Sequence, residues 1–117
     1  MSEAQSPILT VEIEPRGSAV IVAVGGEVDM SSAPVLGARI AQAIRSDPAL
    51  LVVDLSQVRF FGSAGLSLLA ETSDLVAEGS LRVVAVGGPL RTIRLAALDQ
   101  ILDLFDTVEG ALADPSA

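Results

Sequence analysis

The residues best placed to do chemistry lie in one stretch, Val53-Asp-Leu-Ser-Gln-Val-Arg-Phe-Phe-Gly-Ser-Ala-Gly-Leu-Ser-Leu-Leu69. An apolar segment ends at Asp54 and Leu55, a loop carrying Phe60 and Phe61 follows, and Gly62-Ser63-Ala64-Gly65 leads straight into a helical pattern. A helix start gathers unpaired amides and partial positive charge. A serine placed there can carry an added phosphate, which brings about −1.5 to −2 charges at pH 7. Gly62 and Gly65 leave the hydroxyl open to another protein's active site. Capping is an equally ordinary use of such a serine, and at this level both readings stand.

Catalysis by Ser63 is a different matter. The strand–turn–Ser–helix order is similar to a nucleophile elbow, but Gly-Ser-Ala-Gly is not Gly-x-Ser-x-Gly. The chain has no His and no Lys, so no base stands ready to take the serine proton. Gly25-Gly26 and Gly87-Gly88 follow apolar segments without the spacing of a dinucleotide or P-loop motif, and read as turn glycines. Asp54 and Asp29 lack the further acidic pair and the Lys that a phosphoacceptor site would need. No metal site and no cofactor is expected. Glu27 and Asp29 sit where a strand gives way to a helix; they solvate that connection or hydrogen-bond to a partner.

Composition narrows the partners. The 117 residues carry a net charge of −8, all seven basic residues are Arg, and three Phe are the only aromatic residues. Nucleic acid is bound by clustered cations and stacking rings, so neither nucleic acid nor an anionic membrane suits this chain. A protein with a basic patch does. Without Cys there is no disulfide and no thiolate chemistry. The start, MSEAQSPILT, lacks the pattern of a signal peptide, and the apolar runs are far shorter than the ~20 residues that span a bilayer. A cytoplasmic location is expected.

The elements that must position Ser63 follow from periodicity. Leu9, Val11 and Ile13 alternate with Thr10, Glu12 and Glu14, which predicts a half-buried strand. Pro15-Arg16-Gly17 turns the chain into Ser18–Val24, apolar on both faces and so more central; the pair should form an antiparallel hairpin. Gly25-Gly26 should break that strand. Ser31 or Ser32 caps a first helix with Pro34 in its first turn and Leu36, Ile40 and Ile44 on its buried stripe. Leu50–Leu55 is a third strand, 56–62 a loop, and Ser63–Glu78 a second helix with Ser63 at its cap and Leu66, Leu69, Ala70, Val76 and Ala77 on its core face. Leu81–Val86, a helix from Gly87 to about Leu98, a short strand over Ile101–Phe105 and a final turn capped by Thr107 complete the series. The fold class is α/β: a single domain over 8–113, with a mixed, mostly parallel sheet of four or five strands, an N-terminal hairpin and about four flanking helices. Residues 1–7 and 114–117 are expected to be flexible ends.

These residues carry a resemblance. Asp54-Leu-Ser-x-Val-x-Phe-Phe-Gly-Ser-Ala-Gly-Leu66 is similar to the signature of STAS domains, found in bacterial anti-sigma factor antagonists and sulfate-transporter tails. Gly26-Glu-Val-Asp29 with Ala33 resembles the family's second motif, and Leu90–Phe105 its closing stretch. The free-standing length resembles the antagonists. The resemblance implies a STAS fold and a protein that binds an anti-sigma factor, often also an ATP-dependent serine kinase, and so frees a sigma factor for transcription. It implies phosphorylation at Ser63, release on phosphorylation, and a serine phosphatase that resets the switch. The implied contact residues are Glu27, Asp29, Ser31, Phe61, Gly62, Ser63, Ala64, Gly65 and Leu66. Gly62 stands where the family usually has Asp, which removes a negative charge beside Ser63. The alternative is a constitutive, unphosphorylated subunit of a signalling scaffold or a lipid-transport complex.

Overall fold

Successive residues of a strand face opposite sides of a sheet, and this alternation decides the architecture. β2 (Ala19–Val28), the first half of β3 (Leu50–Phe61) and β4 (Leu81–Val84) are buried on both faces, so they are central. β1 (Leu9–Arg16) buries Leu9 and Val11 but exposes Thr10, Glu12 and Glu14, so it stays at an edge. The computed structural model, which describes residues 8–113, joins these and β5 (Asp103–Phe105) into one sheet of order β1-β2-β3-β4-β5. β1 and β2 pair antiparallel and every other pair is parallel. The expected flexible ends lie outside the described residues.

Helices α1 (Ala33–Arg45), α2 (Ser63–Leu75), α3 (Gly87–Leu95) and α4 (Val108–Ala113) flank the sheet. Leu36 and Ile40 of α1, Leu69 of α2 and Ile93 of α3 share one core with Val20, Val22, Val24, Leu51, Val53, Leu55 and Val83. The intervening residues Ile21, Val52 and Val84 meet Ala111 of α4 in a smaller core on the other face. Arg82, 2% exposed, belongs to this second layer. It donates to the Ala111 carbonyl and lies 5.5 Å from the centre of the Phe105 ring, so a buried cation ties α4 to the sheet.

Several boundaries differ from the sequence expectation. The largest difference is at the carboxyl ends of β2 and β3. Gly25-Gly26 does not break β2, and residues 56–61 are strand rather than loop. The two extensions pair with each other, Gly25 with Gln57, Gly26 with Val58, Glu27 with Phe60 and Val28 with Phe61, across two register irregularities. Polar, glycine-bearing segments look like loops because their side chains carry little strand signal, yet backbone pairing with a neighbour still makes them strand. Elsewhere α2 stops at Leu75, not Glu78, and Ala77 is exposed. Leu66, Ala70 and Val76 are half-buried, while Gly65, Leu69 and Thr72 form the buried face; Thr72 fits because its hydroxyl donates to the Leu68 carbonyl at 2.8 Å. β4 ends at Val84, α3 at Leu95, a 3-10 turn spans Leu98–Gln100, and β5 begins only at Asp103. Thr107 does cap the last helix, accepting from the Gly110 amide at 3.0 Å.

One register irregularity of β2 rests on Gly26, whose φ is +92°. A Cβ there would collide with the Ile8 carbonyl oxygen, the same oxygen that accepts from the Glu27 amide at 2.8 Å. Both backbone strain and overlap therefore fall on any side chain at this position. Gly26→Ala should destabilise the domain by about 3 kcal/mol, read as a loss of midpoint in urea unfolding; a change below about 0.5 kcal/mol would show that the kink relaxes freely.

Candidate functional site

The extended β2–β3 pairing carries two connections to the same rim of the sheet. β2 delivers residues 29–32, ahead of α1, and β3 delivers Gly62 and the start of α2. The rims are stitched together by the Gly62 amide, which donates to the Val28 carbonyl at 3.0 Å.

Gly62, not Ser63, is the cap of α2. Its carbonyl accepts from the amides of Gly65 at 3.0 Å and Leu66 at 3.2 Å. Ser63 is the first helical residue, is exposed, and its hydroxyl makes no hydrogen bond among the described residues. The capping role that the sequence left open is therefore taken by backbone, and the serine side chain is spare. Beneath it lies Phe61, 4% exposed. A Cβ on Gly65 would stand 2.6 Å from Phe61 Cε1, so Gly65 is needed to let the ring pack under the first turn. Phe61 and Gly65, expected among the contact residues, thus support the surface from below, because neither has area to offer a partner.

The other connection is built around Asp29. Its Oδ1 accepts from the amides of Ser31 at 2.9 Å and Ser32 at 3.0 Å, and from the Ser31 hydroxyl at 2.7 Å. The Ser31 hydroxyl is the largest influence on the Asp29 carboxyl; desolvation opposes it, and the Ser32 and Ser31 amides add to it, so the carboxyl is held below its ordinary value. Ser32 occupies the cap position of α1 but sends its hydroxyl the other way. Fully buried, it donates to the Glu27 carbonyl at 2.8 Å and accepts from the Asp29 amide at 3.0 Å. Ser31 and Ser32 are thus turn formers, not side-chain caps. Glu27 lies within β2 rather than in a loop, 3.6 Å from Arg59.

Asp29, Met30, Phe60, Gly62, Ser63, Ala64 and Ser67 line an open depression of about 350 Å³. So Asp29 and Ser63 do come together, while Leu66 is half-buried against the core and outside the lining. Sequence reasoning missed Met30, Phe60 and Ser67. Only Met30's place next to Asp29, Phe60's place just before Gly62 and Ser67's place one turn beyond Ser63 signal them. The second carboxylate, Asp54, accepts from its own neighbour's amide, Ser56, at 3.0 Å. Among the described residues no group of His, Cys, Asp and Glu could hold a metal ion, and no helix is long and apolar enough to cross a membrane.

Comparison with known proteins follows this geometry. The STAS domain family model matches residues 10–111. This chain belongs to the STAS domain family. The anti-sigma-F factor antagonist RsfB of Mycobacterium tuberculosis is 37% identical over 106 residues, covering 89% of this chain and 87% of its own. A crystal structure of an anti-sigma factor antagonist from Mycobacterium paratuberculosis superposes with a TM-score of 0.87 at 37% identity, over 92% of this chain and 95% of that one. The Bacillus protein SpoIIAA, solved in its phosphorylated form, shares the fold at a TM-score of 0.62 and 18% identity, over 88% and 96% of the two chains. In this STAS domain the family fold accounts for the mixed sheet.

The Asp29 turn gives a pH prediction. Because folding favours its carboxylate, that stabilisation is present above the ordinary carboxylate range and is lost as pH falls through and below it. Wild type should unfold at a higher temperature than Asp29→Asn at pH 7, and the gap should narrow as the pH is lowered through and below the ordinary carboxylate range. A gap independent of pH would show that charge on Asp29 contributes nothing to the turn.

Proposed function

We propose that this STAS domain is an anti-sigma factor antagonist that binds an anti-sigma factor, frees a sigma factor in the cytoplasm, and is switched off by phosphorylation of Ser63. The observation that carries the reading is Ser63 itself: exposed, at the first position of a helix, with a hydroxyl that makes no hydrogen bond among the described residues. The name of the 37% identical RsfB supports the antagonist role. The proposed contact residues are Ser63, Gly62, Ala64 and Leu66 at the start of α2, with Asp29 across the depression and its neighbours Glu27 and Ser31.

The switch is electrostatic. An ATP-dependent kinase activity of the partner transfers the γ-phosphoryl group: the Ser63 Oγ–P bond forms, the bond to the departing ADP oxygen breaks, and the serine proton leaves to a base of the kinase. This chain supplies the acceptor and no catalysis, having neither His nor Lys. The helix N-terminus tolerates the new charge internally. A partner that accommodated a neutral serine beside the Asp29 carboxylate meets roughly two more negative charges and is released. A separate serine phosphatase restores the hydroxyl.

Incubation with a cognate anti-sigma factor kinase and ATP should add one phosphate, and Ser63→Ala should abolish it, as read by intact mass. Ser63→Asp should weaken anti-sigma factor binding at least tenfold, about 1.4 kcal/mol. The second reading, a constitutive assembly subunit, has Gly62 in its favour; it gains if Ser63→Asp binds as wild type and no kinase of the source organism modifies the chain.

A further inference from the structure

The depression around Ser63 is apolar in a way its acidic rim does not explain. Phe60, near the end of β3, and Met30, in the β2–α1 connection, are 52% and 85% exposed and border the same hollow as Ser63. The hollow continues between α1 and α2 as a second one of about 390 Å³, lined by Met30, Pro34, Gly37, Ala64, Leu68 and Glu71 among others. Gly62 explains how the phenyl ring is held. A Cβ on Gly62 would lie 3.0 Å from Phe60 Cε2 and 3.2 Å from Cζ. Its backbone, at φ −94° and ψ −169°, is extended and open to any residue, so space and not conformation calls for glycine. The ring lies against the bare backbone of the α2 cap, one residue from the switch serine.

We infer that Phe60, seated on Gly62, and Met30 are the apolar anchors that select the anti-sigma factor. This rests on the reading of Ser63 as the partner-facing switch and names what else that partner must hold. Whatever reads the state of Ser63 covers the hollow that both side chains border. The occupant is a protein with an apolar cleft rimmed by basic groups: the cleft takes the phenyl ring and the thioether, and the rim faces Asp29 and Glu71. A second copy of this chain is the wrong occupant, since its own hollow has the same acidic rim and the chain carries a net charge of −8. Exposed aromatic side chains that become desolvated in a complex are the residues whose truncation costs most, and a phenyl ring already held in place loses little freedom on binding.

The test measures Kd for each purified anti-sigma factor encoded in the source genome, by calorimetry, with the unphosphorylated full chain. Phe60→Ala should raise Kd tenfold or more and Met30→Ala about fivefold or more, with thermal unfolding close to wild type because both side chains face solvent. Leu95→Ala, which removes an 82% exposed side chain from the last turn of α3, should stay within twofold. Gly62→Ala, which displaces the ring without adding charge, should raise Kd at least threefold in the wild-type background and leave it unchanged in the Phe60→Ala background. Phe60→Ala and Met30→Ala both within twofold of a wild type that does bind would overturn the inference and leave the switch intact. An equal effect of Gly62→Ala in both backgrounds would overturn the seating role of Gly62. A wild type that binds none of the anti-sigma factors would remove the proposed function and this inference together.

Discussion

The site depends on the backbone pairing between the far ends of β2 and β3. Without it, Asp29 and Ser63 would hang on two independent loops. With it, Val28 and Phe61 are opposite partners, and the Gly62 amide is bonded to the Val28 carbonyl before α2 begins. These are ladder bonds near a core, each contributing only about 1 kcal/mol net, but they remove the freedom of the residues that follow. Phe61 adds the vertical constraint. Burying it contributes roughly 2–3 kcal/mol and pins the first turn of α2 through contact with Gly65. The serine is exposed because everything around it is fixed.

This explains why the sequence reports the core readily and the site less so. Val20 to Val24 and Leu50 to Val53 are apolar at every position, and only a strand buried on two faces asks for that. The helices announce themselves through Leu36, Ile40, Leu69 and Ile93. Ser56 to Phe61 gives no such signal, because Ser56, Gln57 and Arg59 lie beyond the reach of the helices and are held by main-chain bonds that any residue can make. Gly25-Gly26 misleads for a related reason: glycine lowers strand propensity, yet here it lets the chain kink within a strand beside Ile8. Local propensity cannot see a partner strand more than thirty residues away.

The site residues divide the same way. Ser63 is legible because a serine between glycines before an apolar period marks a helix start. What it does there is not, since Gly62 and Ser63 are adjacent and either could cap. The choice falls to Gly62 because its amide belongs to the ladder and its carbonyl serves Gly65 and Leu66, which pushes the serine one position into the helix and frees its hydroxyl. Phe60 and Phe61 are indistinguishable as letters. Strand alternation separates them, sending one ring under α2 and the other into solvent, and only the strand character of that segment reveals which is which.

The Asp29 turn shows how a charge can be held rigidly at low cost. Its carboxylate belongs to a half-buried residue and gives up part of its hydration, and two amides and a hydroxyl orient it. The buried Ser32 closes the turn from beneath by satisfying one donor and one acceptor of the backbone, groups that would each cost on the order of 1–3 kcal/mol if left bare. A fixed carboxylate opposite the start of α2 gives the Ser63 surface a polarity that does not adjust when charge is added. A mobile acid would swing away from a phosphate and soften the repulsion. One locked by hydrogen bonds from Ser31 and Ser32 cannot, so under the proposed switch the additional charge would be felt by the bound partner and not dissipated by rearrangement of the domain.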